Sequence, residues 1–125
     1  MERLFVIVGS IIMFLGVSAG AFGAHALSSY FDSHPNLQSN YETAVRYLMI
    51  HGLAIFVVAW ASGRWPGTLV NAAGYLFLAG ILIFSGSLFV LSLTGIRWLG
   101  AITPIGGATF LIGWFLLLMA AWRGQ

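Results

Sequence analysis

Residues Leu69 to Leu93 read LVNAAGYLFLAGILIFSGSLFVLSL, and no charge interrupts them. A helix needs about 20 mostly apolar residues to cross about 30 Å of hydrocarbon, so this stretch decides that the chain spans a membrane. Working outward, three more segments have the length and the apolar content: Leu4 to Leu27, Tyr41 to Ala61 and Leu99 to Trp122. In lipid every backbone group must be paired inside its own segment. The expected fold is therefore all-α, an integral membrane four-helix bundle with short loops, forming one domain over residues 1–125.

Composition agrees. Hydrophobic residues make up 60% of the 125 and charged residues 6%, where a soluble domain carries about 25% charged. Five basic and three acidic side chains cannot coat a globule of this size, which excludes a soluble enzyme, a nucleic-acid binder and a disordered chain. The expected surroundings are the lipid bilayer, with no nucleic-acid partner. Zero cysteines remove disulfides, thiolate nucleophiles and sulfur-ligated metal or iron–sulfur sites.

The first segment starts beside Arg3 and ends in small residues, as a secretory signal does. Its apolar run is longer than a signal core, and it is read as a retained helix. Ser28 to Asn40 is the one polar stretch of any length, with the turn chemistry of Asp32-Ser33-His34-Pro35-Asn36. Ser39 and Glu42 then have the spacing of a capping box, which starts the second helix near Tyr41. Glu42 and Arg46, four apart, are expected to form an interfacial ion pair. Ser62 to Gly67 and Thr94 to Trp98 read as tight interfacial turns. Trp60, Trp65, Trp98 and Trp122 lie near helix ends, where indoles prefer to sit. Four spans put both termini on one side with the second loop. That side holds Arg3, Arg64 and Arg123 against Arg46 and Arg97 on the other, so the positive-inside rule places both termini in the cytoplasm.

Several strings then match a known pattern. Gly20-Ala21-Phe22-Gly23-Ala24-His25-Ala26 ends the first segment, and Tyr41-Glu42-Thr43-Ala44-Val45-Arg46-Tyr47 with His51 opens the second. Phe84-Ser85-Gly86-Ser87-Leu88 lies in the third, Leu99-Gly100-Ala101-Ile102-Thr103-Pro104-Ile105-Gly106-Gly107 opens the fourth, and Gly113-Trp114 follows. Across essentially its whole length the chain resembles the bacterial family called domain of unknown function 423, of the YgdD and YwdK type, related to animal transmembrane protein 256. The resemblance implies a small multi-pass protein of the bacterial plasma (inner) membrane and no established activity.

His25 and His51 are the candidates for chemistry, because ionisable groups inside spans face the bundle interior or water. Thr43, Tyr47 and His51 follow one another at intervals of four, so they share a helix face. With His25 at a similar depth, they would form a polar track. Facing histidines could ligate a haem iron, shuttle protons, or hydrogen-bond a quinone or lipid headgroup. The plainer reading is that each histidine bonds a neighbour and holds helices together. His34, in the polar loop beside a proline, reads as a solvated turn residue.

Glycines carry the packing signal. Gly16 and Gly20 form a GxxxG step that Ala24 extends, and Gly9, Gly16 and Gly23 repeat every seven. Small residues at these spacings let helices approach closely, within one bundle or in a homo-oligomer. Ser85-Gly86-Ser87 is expected to be a close-packing notch. Thr103-Pro104 reads either as a kink in the fourth helix or as an N-cap followed by its first helical residue. In the second case Gly95 to Ile102 would be re-entrant, and the free N–H groups of Ile105, Gly106 and Gly107 would face an anion or a carbonyl oxygen.

No catalytic residues and no metal ligands are assigned: no intramembrane carboxylate pair, nucleophile constellation or metal motif occurs. The preferred reading is a non-catalytic accessory or assembly subunit beside a larger membrane complex, with no cofactor expected. The alternatives are an oligomeric transporter or channel using the His25/His51 track, and a protein binding haem, quinone or lipid.

Overall fold

The computed structural model describes residues 1–124. Among them are six α-helices and no strand: α1 (Glu2–Ala24), α2 (Ser28–Ser33), α3 (Pro35–Arg64), α4 (Thr68–Gly80), α5 (Gly86–Thr94) and α6 (Thr103–Arg123). A π-helical turn, Ile81–Ser85, fuses α4 and α5, and a 3-10 turn, Arg97–Ala101, leads into α6. Among the described residues, four helices are long and apolar enough to cross a membrane: Glu2–His25, Pro35–Arg64, Thr68–Thr94 and Arg97–Arg123.

The polar stretch 28–40 is helical where a loop was expected. Ser28–Ser33 forms α2, and α3 begins at Pro35 rather than near Tyr41. Proline at the first helical position has its φ preset and forfeits no intrahelical hydrogen bond, so it starts the helix six residues early. The Ser39–Glu42 capping box is therefore absent. Ser39 lies inside α3, and its carbonyl accepts from Thr43 Oγ1 at 2.9 Å. Glu42 accepts from Gln38 Nε2 at 3.3 Å, in place of the expected pair with Arg46.

The fourth span also departs from expectation. Thr103 is the first residue of α6 and Pro104 lies in its first turn, while Ile102 occupies the N-cap position without a side-chain cap. Thr103 is thus not the cap, and Pro104 kinks nothing, because the carbonyl it would clash with lies outside the helix. The stretch before it is a mostly exposed 3-10 turn. Gly95, at φ 75°, ends the third span in the left-handed conformation, its N–H on Leu91 O at 2.7 Å.

Since lipid supplies no hydrophobic drive between helices, close packing and interhelical hydrogen bonds hold the bundle. α1 runs antiparallel to α3. Gly9 faces Phe56, Gly16 faces Leu48 and Met49, and Gly23 receives the Tyr41 ring; in return Gly52 of α3 receives Ile12 and Met13. A Cβ at Gly16 would come within 2.7 Å of Leu48, whereas one at Gly20 would sit 3.6 Å from Val45, an ordinary contact. Ala24 is exposed at the end of this stripe.

The third span and α6 form a second antiparallel seam in which rings fill glycine gaps. The Phe77 ring packs on Gly113 and the Phe110 ring on Gly80, while Gly106 admits the main chain and Cβ of Phe84. The seam continues to a hydroxyl pair, Ser87 Oγ to Thr103 Oγ1, at 2.6 Å. Gly106 is the tightest approach to main chain: a Cβ there would lie 2.5 Å from Phe84 N. Gly107 touches only the Phe84 ring, at 3.9 Å.

Other bonds cross between elements. Tyr41 donates to Ala19 O, Ser85 Oγ to Ala44 O at 2.8 Å and Tyr30 to Ser92 O at 2.9 Å. Phe5, 0% exposed, seats α1 against Gly74 of α4. Away from that anchor an apolar furrow opens between α1 and the third span, lined by Ile12, Leu15, Leu82, Phe89 and, further along, Phe22 and Leu93. Gly86 lines this furrow and is no packing notch, since a Cβ there would meet nothing within 4 Å.

Candidate functional site

His51 lies one turn after Tyr47 on α3 and is 4% exposed. Its Nδ1 is 3.0 Å from Tyr47 O, and Trp114 Nε1 donates to its Nε2 at 3.0 Å. An indole N–H only donates, so Nε2 is the acceptor and Nδ1 carries the proton given to Tyr47 O. A neutral imidazole has one donor and one acceptor, and both are used. The ring is stacked on Phe110 at 3.6 Å and 8°. Phe77 flanks it at 5.5 Å, and Tyr47 lies nearly parallel to it at 6.2 Å. This is a closed aromatic box. Ligating an iron or passing a proton through His51 would first require breaking the Trp114 bond or the Tyr47 bond.

The expected track is not assembled. Thr43, Tyr47 and His51 do follow one another along α3, but Tyr47 packs on Phe84 at 4.5 Å and His51 faces α6. The α1-facing residue beside it is Gly52, which meets Ile12 and Met13. His25 is exposed at the C-terminus of α1, twelve residues beyond Met13, a rise of about 18 Å along that helix. The two imidazoles are therefore separated in depth and face different neighbours. His34 is exposed before α3, its ring stacked on Tyr30 at 4.5 Å with Nδ1 donating to Tyr30 O.

Around Thr103 and Pro104 no anion cradle forms. Ile105 N–H is bonded to Ile102 O at 3.0 Å, Thr103 is tied to Ser87, and Phe84 occupies the space beside Gly106. Among the described residues no group of three or more His, Cys, Asp or Glu is placed to hold a metal, and no buried side-chain nitrogen or oxygen lacks a partner.

Polar side chains do converge elsewhere. A groove of about 430 Å³ opens between the end of α1 and the first turns of α3. Gly20, Gly23 and Ala24 form one wall; Gln38, Glu42 and Arg46 stand on the other, over Tyr41, Val45 and Phe31. Glu42 and Arg46 are both exposed.

Trp114 is the residue that sequence reasoning passed over. Four of the five tryptophans lie near span ends; Trp114 alone lies within an apolar span. An indole N–H in that position needs an acceptor, and a mid-span histidine is one of the few available. Phe77 and Phe84, seven apart, and Gly106 and Gly113, also seven apart, were the further signal for the seam.

Comparison with known proteins places the chain. Residues 19–107 match the family model described as protein of unknown function (DUF423). The chain is 46% identical to the UPF0382 membrane protein SAB0533 of Staphylococcus aureus, over 97% of each chain. It is 45% identical to the UPF0382 membrane protein YwdK of Bacillus subtilis, over 95% of this chain and 96% of that one. A third relative, the UPF0382 membrane protein SH2409 of Staphylococcus haemolyticus, is 43% identical over 97% of each chain. No solved structure matches. With a family model covering most of its length and full-length relatives at this identity, the chain belongs to the DUF423 family of membrane proteins.

Proposed function

We propose that the protein is a non-catalytic subunit of the bacterial inner membrane that works by lateral packing beside a larger membrane protein. The observation that carries this reading is the closed state of His51. The one buried histidine among the described residues has both ring nitrogens bonded and its face covered by Phe110. That arrangement supports a structural role for His51 over a relay or a ligand. The outer surface offers the reverse: the apolar furrow beside α1 and long exposed side chains such as Phe14 and Leu82, 73% and 75% exposed.

In this reading both termini face the cytoplasm. Glu2 abuts Gly63, and Arg123 lines a small pocket with Trp65 and Thr68. Arg3, Arg64 and Arg123 thereby gather at one end, and the positive-inside rule assigns that end to the cytoplasm.

Reconstitution with a native mass spectrum tests the function. The purified chain should carry no proton or small-solute flux above empty liposomes, and gentle extraction from native membranes should retain a larger subunit at fixed stoichiometry. Flux that stops on His51→Ala, or release of the 13.5 kDa chain only as itself, would overturn the accessory role.

A further inference from the structure

The Gln38–Glu42–Arg46 groove is independent of the accessory reading and points to a ligand. Its depth in the membrane follows from α3 itself. Arg46 and Arg64 are eighteen residues apart, a rise of about 27 Å, close to the roughly 30 Å hydrocarbon thickness. The two arginines therefore mark its edges. The turns before Arg46, with Asn36, Gln38, Ser39, Asn40 and Glu42, then lie in the headgroup layer, and the groove opens into it.

We propose that this groove binds the headgroup of a zwitterionic phospholipid carrying a primary ammonium, with the phosphate on the Arg46 guanidinium and the ammonium on the Glu42 carboxylate. Positions four apart on a helix have Cβ atoms about 5–6 Å from one another, so the two flexible side chains can reach a phosphate and an amine joined by a two-carbon linker. Gln38 Nε2, bonded to Glu42 at 3.3 Å, orients the carboxylate. A guanidinium fork is suited to phosphate oxygens. Gly20 and Gly23 leave the facing wall without side chains. Tyr41 is fixed by its bond to Ala19 O and gives the groove a rigid apolar floor with Val45 and Phe31. A quaternary ammonium has no N–H to give Glu42, and an anionic glycerol headgroup has no cation to place there, so both are discriminated against.

The full chain in detergent, equilibrated with equimolar ethanolamine, choline and glycerol phospholipids of identical acyl chains, tests this by native mass spectrometry of the retained lipid. Wild type should retain the ethanolamine lipid over the other two by about tenfold, the ratio expected from one charge-assisted hydrogen bond. Glu42→Gln should erase the preference over choline, and Arg46→Gln should lower retention of all three. Both side chains are exposed, so the fold survives, as melting curves will verify. Gly20→Leu should empty the groove, because its Cβ makes only an ordinary contact while its branch fills the space. Equal retention of the three lipids, or unchanged retention in Gly20→Leu, would each overturn the proposal.

Discussion

Trp114 Nε1 donates to His51 Nε2 at 3.0 Å across the bundle, joining residues sixty-three positions apart. The bond fixes the histidine tautomer and ties α3 to α6, beside the stack of His51 on Phe110. Ser85 Oγ to Ala44 O and Ser87 Oγ to Thr103 Oγ1 fasten helices in the same way, whereas the buried Ser92 Oγ bonds back to Phe89 O of its own helix.

Trp114→Phe keeps an aromatic ring, though a smaller one, and removes the donor, leaving Nε2 without a partner in a box where His51 is 4% exposed. The expected loss is about 1–2 kcal/mol of stability in mixed micelles. His51→Phe restores an apolar stack on Phe110, so a double-mutant cycle should show a coupling of about 0.6–1.7 kcal/mol. Strictly additive losses would mean that the bond is not formed in the folded protein.

Gly86 and Gly106 make opposite predictions for the same substitution. A Cβ at Gly106 would meet Phe84 main chain at 2.5 Å, and one at Gly86 meets nothing within 4 Å. Gly106→Ala should therefore destabilise by about 1–3 kcal/mol through forced separation of the seam. Gly86→Ala should be neutral or stabilise by up to about 1 kcal/mol through helix propensity. Thermal melts of both variants decide the matter; equal effects would refute the seam.

Ser39→Ala tests where α3 begins. Loss of a true N-cap costs about 1 kcal/mol. Ser39 lies within the helix that Pro35 starts, so the variant should stay within about 0.5 kcal/mol of wild type. A drop of a full kcal/mol would restore the capping box near Tyr41.

The spans were legible because hydropathy and length leave few other outcomes: Leu69 to Leu93 lies wholly within Thr68–Thr94. The start of α3 was not, since Asn36, Gln38, Ser39 and Asn40 are polar and hydropathy is silent on a polar helical turn. There the helix is marked instead by Pro35 and by local bonds such as Asn40 Nδ2 to Asn36 O, at 3.4 Å. Spacing correctly put Thr43, Tyr47 and His51 on one face. It could not say which helix that face meets. His51 and Gly52 are neighbours in sequence, yet one turns to α6 and the other to α1, and only the rotation of α3 in the bundle separates them. The indole of Trp114 was the available clue, because its N–H at mid-span requires an acceptor.

The arginine distribution supports an orientation that cysteine labelling can read directly, since the chain has no cysteine of its own. Asp32 in α2 and Thr68 at the start of α4 are both exposed and belong to opposite ends of the bundle. If Arg3, Arg64 and Arg123 face the cytoplasm, Asp32→Cys in intact cells should react with a membrane-impermeant maleimide. Thr68→Cys should react only after the membrane is opened. The reverse pattern would put the three-arginine end outside. It would also move the Gln38–Glu42–Arg46 groove to the inner leaflet, leaving its geometry unchanged but changing which headgroups it meets.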